Sequence, residues 1–174
     1  MNWIGLWTLT SREVGKFFKV YRQTVIPGLI SSVLYILIFG FTLEQRISSI
    51  EGISYTIFII PGLIMMNTLT NASSNPSSSL LQMKLTGQVP DLMQAPLSSL
   101  EISLAFIVGG VVRGVVNGIL ILLIGMWIGG MEVLYPIATI GFIFVVSVAF
   151  SSMGLLLGQL ADTWDQLATM QNFF

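Results

Sequence analysis

Pro61-Gly62-Leu63-Ile64-Met65-Met66 opens the stretch that decides the fold, and Ala95-Pro96-Leu97 closes it. The stretch starts wholly apolar. It turns polar at Asn67-Thr68, at Asn71-Ala72-Ser73-Ser74-Asn75-Pro76 and at Ser77-Ser78-Ser79. It then reads as leaving a bilayer near Gln82 and Lys84 and making a short amphipathic piece, Val89-Pro90-Asp91-Leu92-Met93-Gln94. A membrane-spanning helix that hands over to a short polar loop predicts a place where force or a signal arrives from a soluble partner.

The rest of the composition agrees with a membrane chain. Of 174 residues, 54% are hydrophobic and only 9% charged, with mean hydropathy +0.87. A soluble domain carries about 25% charged residues. No soluble core of this size needs so much apolar surface, so the excess faces lipid. A net charge of -1 offers no basic field for nucleic acid. The absence of cysteine and histidine removes disulfides, thiol chemistry, Cys/His metal sites and imidazole acid–base catalysis. The N-terminus lacks the order of a signal peptide, because its basic residues follow its first apolar ones.

Residues 1–22 are predicted to form an amphipathic helix. At 100° per residue Trp3, Leu6, Trp7, Val14, Phe17 and Tyr21 share one face, and Arg12, Lys16 and Lys19 the opposite one. That arrangement suits a helix in the membrane interface, with aromatics among headgroups and cations toward water. A soluble helix packed on a partner is the alternative, and the two tryptophans favour the interface. Four spans are expected at 24–43, 55–76, 102–128 and 135–158, each with the roughly 20 apolar residues that cross hydrocarbon. Pro27 suits a first turn and Pro61 a kink. Residues 80–98 form the loop between the second and third spans. Arg12, Lys16, Lys19, Arg22 and Lys84 put the N-terminus, this loop and the C-terminal segment in the cytoplasm. The loops at 44–54 and 129–134 then face outside.

Several constellations carry two readings. Gly110, Gly114 and Gly118 make a packing stripe on the third span, where small residues let backbones approach, and Ser147, Ser151, Gly154 and Gly158 give the fourth a similar face. Arg113 lies deep in its span, where a cation costs a few kcal/mol unless something offsets it. Interhelical pairing or snorkelling to a headgroup is preferred over contact with a transported anion. Asn117 shares its face. Asn67, Asn71 and Ser74 share one helical face and fit a polar substrate path or interhelical hydrogen bonding equally. Asp162, Asp165 and Glu101 flank the spans and read as solvated termini or a docking surface rather than as acid–base pairs. No GxxxxGK[ST] loop is present, so this chain does not bind ATP in that manner.

Taken together, the pieces resemble the membrane subunit of ABC-2 type exporters. The likeness is carried by Pro61 to Met66, Ser77 to Leu81, Leu92-Met93-Gln94-Ala95-Pro96-Leu97, Gly109-Gly110-Val111-Val112-Arg113-Gly114 and Gly154 to Leu160. It covers nearly the whole chain and rests on order and spacing. The resemblance implies an all-α, polytopic transmembrane domain over 1–174, with an N-terminal interfacial helix (Trp3, Trp7, Arg12, Lys16, Lys19) and four of the family's six spans. It implies a coupling segment, Lys84 to Gln94, with Lys84, Val89, Pro90, Asp91, Leu92 and Met93 meeting a separate ATPase subunit. ATP and Mg would be bound by that partner and no cofactor by this chain. A second permease subunit, a homodimer in the simplest case, and a bacterial inner membrane complete the expectation. The sequence ends where the family's fifth span begins, which predicts a fragment or a truncated product lacking spans five and six. The expected function is a permease path for an amphiphilic, polysaccharide, lipid-linked or drug-like substrate. The rivals are a non-transporting anchor or assembly subunit, and a membrane-embedded enzyme using Asp162, Asp165 or Glu101.

Overall fold

The computed structural model describes residues 2–41 and 52–173. Seven α-helices follow one another among them. We label them α1 (Trp3–Lys19), α2 (Tyr21–Tyr35), α3 (Tyr55–Leu85), α4 (Val89–Gln94), α5 (Ser99–Gly129), α6 (Pro136–Leu160) and α7 (Trp164–Asn172). A π-helical turn, Ile36–Phe41, continues α2. The segment Tyr21–Gly40 and helices α3, α5 and α6 are long and apolar enough to cross a membrane. The chain is therefore an all-α polytopic membrane protein. The expected loop at 44–54 lies largely outside the described residues.

The second span differs from expectation. A single helix of 31 residues runs from Tyr55 to Leu85 through both Pro61 and Pro76, where the polar run after Asn75 had suggested an end at residue 76. At 1.5 Å per residue this is about 46 Å, against about 30 Å of hydrocarbon. The last two or three turns thus project beyond the apolar layer as helix, and residues 80–85 belong to α3 rather than to the loop. The polar side chains permit this by bonding their own backbone. Thr68 Oγ1 donates to Ile64 O, Ser77 Oγ to Ser73 O and Asn71 Nδ2 to Asn67 O. Such bonds satisfy side chains that lipid would leave unpaired.

α3 is the central helix, packed against α5 and α6, with α2 on one flank and α1 beside α5. The approach is close because small residues face each other. A Cβ on Gly114 would meet the Ala72 Cβ and Ser147 Oγ, each at 2.8 Å. On Gly118 it would meet Thr68 Oγ1 at 2.5 Å. Gly110 lies against Ala72 O and Ser151 Oγ, and Ser151 Oγ donates to Ile107 O at 2.8 Å. Gly154 and Gly158 of α6 lie against the backbone of Ser73 and Ser77. The glycine stripe thus joins three helices of one chain. Ile36, Ile60, Ile64, Ile121, Leu122 and Ile143 fill one end of the bundle. Trp127, Ile137, Phe142 and Val145 point outward, as lipid-facing positions do.

α5 begins at Ser99, three residues before the expected start, because Ser98 and Glu101 form a capping box. The Glu101 carboxylate also accepts from the Asn2 N–H and is only 4% exposed. It is a buried cap tying α1 to α5, which corrects its reading as a solvated charge.

Candidate functional site

One end of the bundle gathers the N-terminus of α1, the C-terminal turns of α3, all of α4, the first turns of α5, the end of α6, and α7. α3 stops at Thr86, and Gly87 takes the left-handed conformation, φ +71°, that reverses the chain. α4 follows as one amphipathic turn and a half. Val89 and Leu92 pack on Met83 of α3, Phe106 of α5 and Leu155 of α6. Pro90, Asp91, Met93 and Gln94 are exposed, Met93 at 77%. α4 is therefore seated on a cluster drawn from three spanning helices. A cleft of about 400 Å³ separates α4 from α1, with Arg12, Met83, Asp91 and Leu92 among its walls.

Lys84 takes a different position. Its Nζ donates to Gln159 O at 2.9 Å and Ala161 O at 2.6 Å, and pairs with Asp162 at 3.0 Å. It closes the carboxyl end of α6, where carbonyls lack helical partners and a cation is favoured. Lys84 therefore straps α3 to α6 and does not share α4's outer face. Lys84→Met is expected to lower thermal stability by about 1 kcal/mol. Asp162→Asn is expected to cost only a few tenths, because Asp162 is 77% exposed. Melting curves of the two variants check this order. Beyond the strap, α7 packs back on α3, with Leu167 against Leu81 and Leu157. Gln171 Nε2 bonds Ser77 Oγ at 2.7 Å.

α1 keeps Trp3 and Trp7 outward, 69% and 72% exposed, together with Ile4 and Phe18. Its inner face is Leu9, Glu13 and Phe17. Phe17 is thus buried rather than grouped with the exposed tryptophans. Nor do all the cations turn to water, as the helical projection had suggested. Lys19 is exposed, but Lys16 Nζ bonds the Glu13 carboxylate at 2.7 Å and Ser79 Oγ at 2.8 Å. Arg12 stays exposed while reaching the Met83 sulfur at 3.2 Å. Glu13, fully buried, also accepts from Ser79 Oγ at 2.6 Å.

α3 carries a second polar feature, a row at every fourth residue. Asn67 Nδ2 donates to Ser32 Oγ of α2 at 2.9 Å, and Asn71 Oδ1 accepts from Arg113 Nε of α5 at 3.2 Å. Asn75 abuts Gly109, and Ser79 meets Glu13. Asn67 and Asn71 therefore bond between helices. Ser74 instead lines a groove of about 380 Å³ with Phe150 and Met153 of α6. Asn117 Nδ2 bonds Arg113 O at 2.9 Å, and its buried Oδ1 has no partner. Sequence reading missed Glu13 and Ser32, and it placed Asn75 and Ser79 only within the general polar run of α3. The four-residue spacing of Asn67, Asn71, Asn75 and Ser79 was the available signal.

The comparisons with known proteins agree with this architecture. A profile of the ABC-2 type transporter family matches residues 5–174. The inner membrane transport permease YadH of Escherichia coli K12 is 34% identical over 173 residues, 99% of this chain and 68% of the relative. Nodulation protein J of Rhizobium leguminosarum bv. viciae is 21% identical over 168 residues, 95% of this chain and 63% of that protein. No solved structure matches. With the family matched over nearly its whole length, and with the spanning helices in place, the chain belongs to the ABC-2 type transporter family as a multi-pass transport permease.

Proposed function

We propose that the chain is the permease subunit of an ATP-driven exporter, working with a separate ATP-binding cassette ATPase and a second permease copy. ATP and Mg belong to the ATPase. The observation that carries the reading is α4, with Val89 and Leu92 seated on Met83, Phe106 and Leu155 and its outer face free. Closure of the ATPase pushes on Pro90, Asp91 and Met93, and the cluster passes the motion to α3, α5 and α6 together. The basic residues Arg12, Lys16, Lys19, Arg22 and Lys84 gathered at this end support a cytoplasmic position for it. The likeness to YadH, an inner membrane permease, supports the same membrane here. The outward Trp3, Ile4, Trp7 and Phe18 suit a helix held among lipid headgroups and acyl chains. An entrance beside such a helix fits an amphiphilic, polysaccharide, lipid-linked or drug-like substrate.

Substituting Asp91→Ala and Leu92→Ala together removes one outer contact and one inner seat. The expected result is at least tenfold less transport, with weakened capture of the ATPase, while the permease still folds because α4 contributes no fully buried residue. Unchanged capture and unchanged ATP turnover would show that α4 is not the coupling element.

A further inference from the structure

Buried Glu13 and half-buried Arg113 face successive turns of α5 and form no ion pair with each other. Glu13 lies where α1 crosses Gly109 of α5. A Cβ on Gly109 would stand 3.0 Å from the Glu13 Cβ and 3.0 Å from Asn75 Nδ2. Arg113 is one helical turn further along α5. Helical side chains lean toward the N-terminus of their helix, so the Arg113 side chain leans back over the turn that begins at Gly109. In this arrangement Glu13 holds Lys16 and Ser79, and Arg113 holds Asn71 Oδ1. Among the described residues no carboxylate lies within ion-pair distance of Arg113. Beside Gly109 and Glu13 stands Asn75, 7% exposed, its Nδ2 without a partner.

We infer that Glu13 is a positioning residue with two alternative partner sets: Lys16, Ser79 and, at 3.6 Å, Arg12 as seen here, and Arg113 in a second arrangement reached when α1 moves along α5 by about one turn. Lys16 gives up the carboxylate easily, because its side chain is already 40% exposed and water takes over its ammonium. Arg113 gains most from a carboxylate, since a cation at membrane depth is costly without one. Gly109 offers no side chain to obstruct α1, and the bond from Asn2 to Glu101 must release for α1 to move. Asn75 Nδ2 finds an acceptor as the carboxylate passes. The inference rests on the ATP-driven reading above, in which the nucleotide cycle supplies the motion, and the cleft between α1 and α4 leaves α1 room to move.

The test uses the full permease with its ATPase in lipid nanodiscs. Two double-mutant cycles are measured, E13Q with R113Q and E13Q with K16Q, each read as thermal stability without nucleotide and as ATP turnover. Without nucleotide, Glu13 and Lys16 are expected to couple and Glu13 and Arg113 to be additive. In turnover, E13Q and R113Q are each expected to slow the complex about tenfold, with the double variant no slower than the worse single one. A fixed structural role would not produce this reversal between the two readouts. Losses that multiply in turnover overturn the exchange, as does stability coupling between Glu13 and Arg113 without nucleotide. Glutamine keeps the Ser79 hydrogen bond, so E13Q tests the charge and not the fold. An unmodified complex without ATP turnover overturns the ATP-driven reading and the exchange with it, whereas an active complex with additive variants overturns the exchange alone.

Discussion

Gly154→Val is expected to leave little monodisperse permease, while Gly141→Val on the same helix behaves like the parent. A Cβ on Gly154 would meet Ser73 O, and would stand 2.6 Å from Ser73 Cα and 2.7 Å from Ser73 C. These are backbone atoms of α3, so no side chain can rotate away. α6 must separate from α3, and separation also opens the Gly158–Ser77 approach and the seat of Leu157 on Leu81. Overpacking a core costs about 1–3 kcal/mol when side chains can adjust and more when backbone must move. We therefore expect a loss of about 3 kcal/mol or more for Gly154→Val. Gly141 is exposed with nothing within 4 Å of its Cβ position, and valine there only adds a methyl surface toward lipid. Size-exclusion profiles and melting curves of the two variants check the contrast. Equal behaviour would mean that α3 and α6 are not in backbone contact.

The contrast also shows which features were legible in the sequence. Four spans were, because hydrocarbon thickness fixes a minimum apolar length and composition alone reveals it. The small-residue faces of α5 and α6 were visible as well. What they pack against was not, because Gly114 and Ala72 meet only through the tertiary arrangement. The continuity of α3 escaped notice for a local reason. Asn, Ser and Pro usually mark turns, and their capacity to bond their own helix is invisible until Ser77 and Thr68 are seen doing so. Lys84 read as a surface cation of a loop because the carbonyls of α6 that it closes lie far along the chain. Glu101, one residue from Leu100 at the start of a span, carried its own signal in the Ser98-x-x-Glu101 capping pattern. Its weight as a flanking charge hid that role. The polar faces of α1 were found, but not their target. A helical projection separates aromatics from cations without saying which sector meets protein.

Glu13→Lys is expected to be the most damaging single change in α1, and its size follows from which partners can escape. Glu13 is fully buried against Gly109, between Lys16 and Ser79. Reversing its charge leaves a cation with no anion beside it, next to Arg12 and Lys16. Removing one member of a buried pair costs about 3–5 kcal/mol, and reversal adds repulsion. Lys16 and Arg12 are 40% and 42% exposed at the side chain, so they can turn to water and return part of that cost. The replaced side chain cannot, because its Cβ faces α5. Glu13→Gln should therefore retain most of the fold, losing the charge but keeping the Ser79 bond. Glu13→Leu should fall between, because it leaves the Ser79 hydroxyl unpaired without adding a buried charge. The order Gln, Leu, Lys in folded yield from membranes is the expected series. If Glu13→Lys accumulates like the parent, the inner face of α1 is not held against α5, and α1 lies free in the interface with its cations in water.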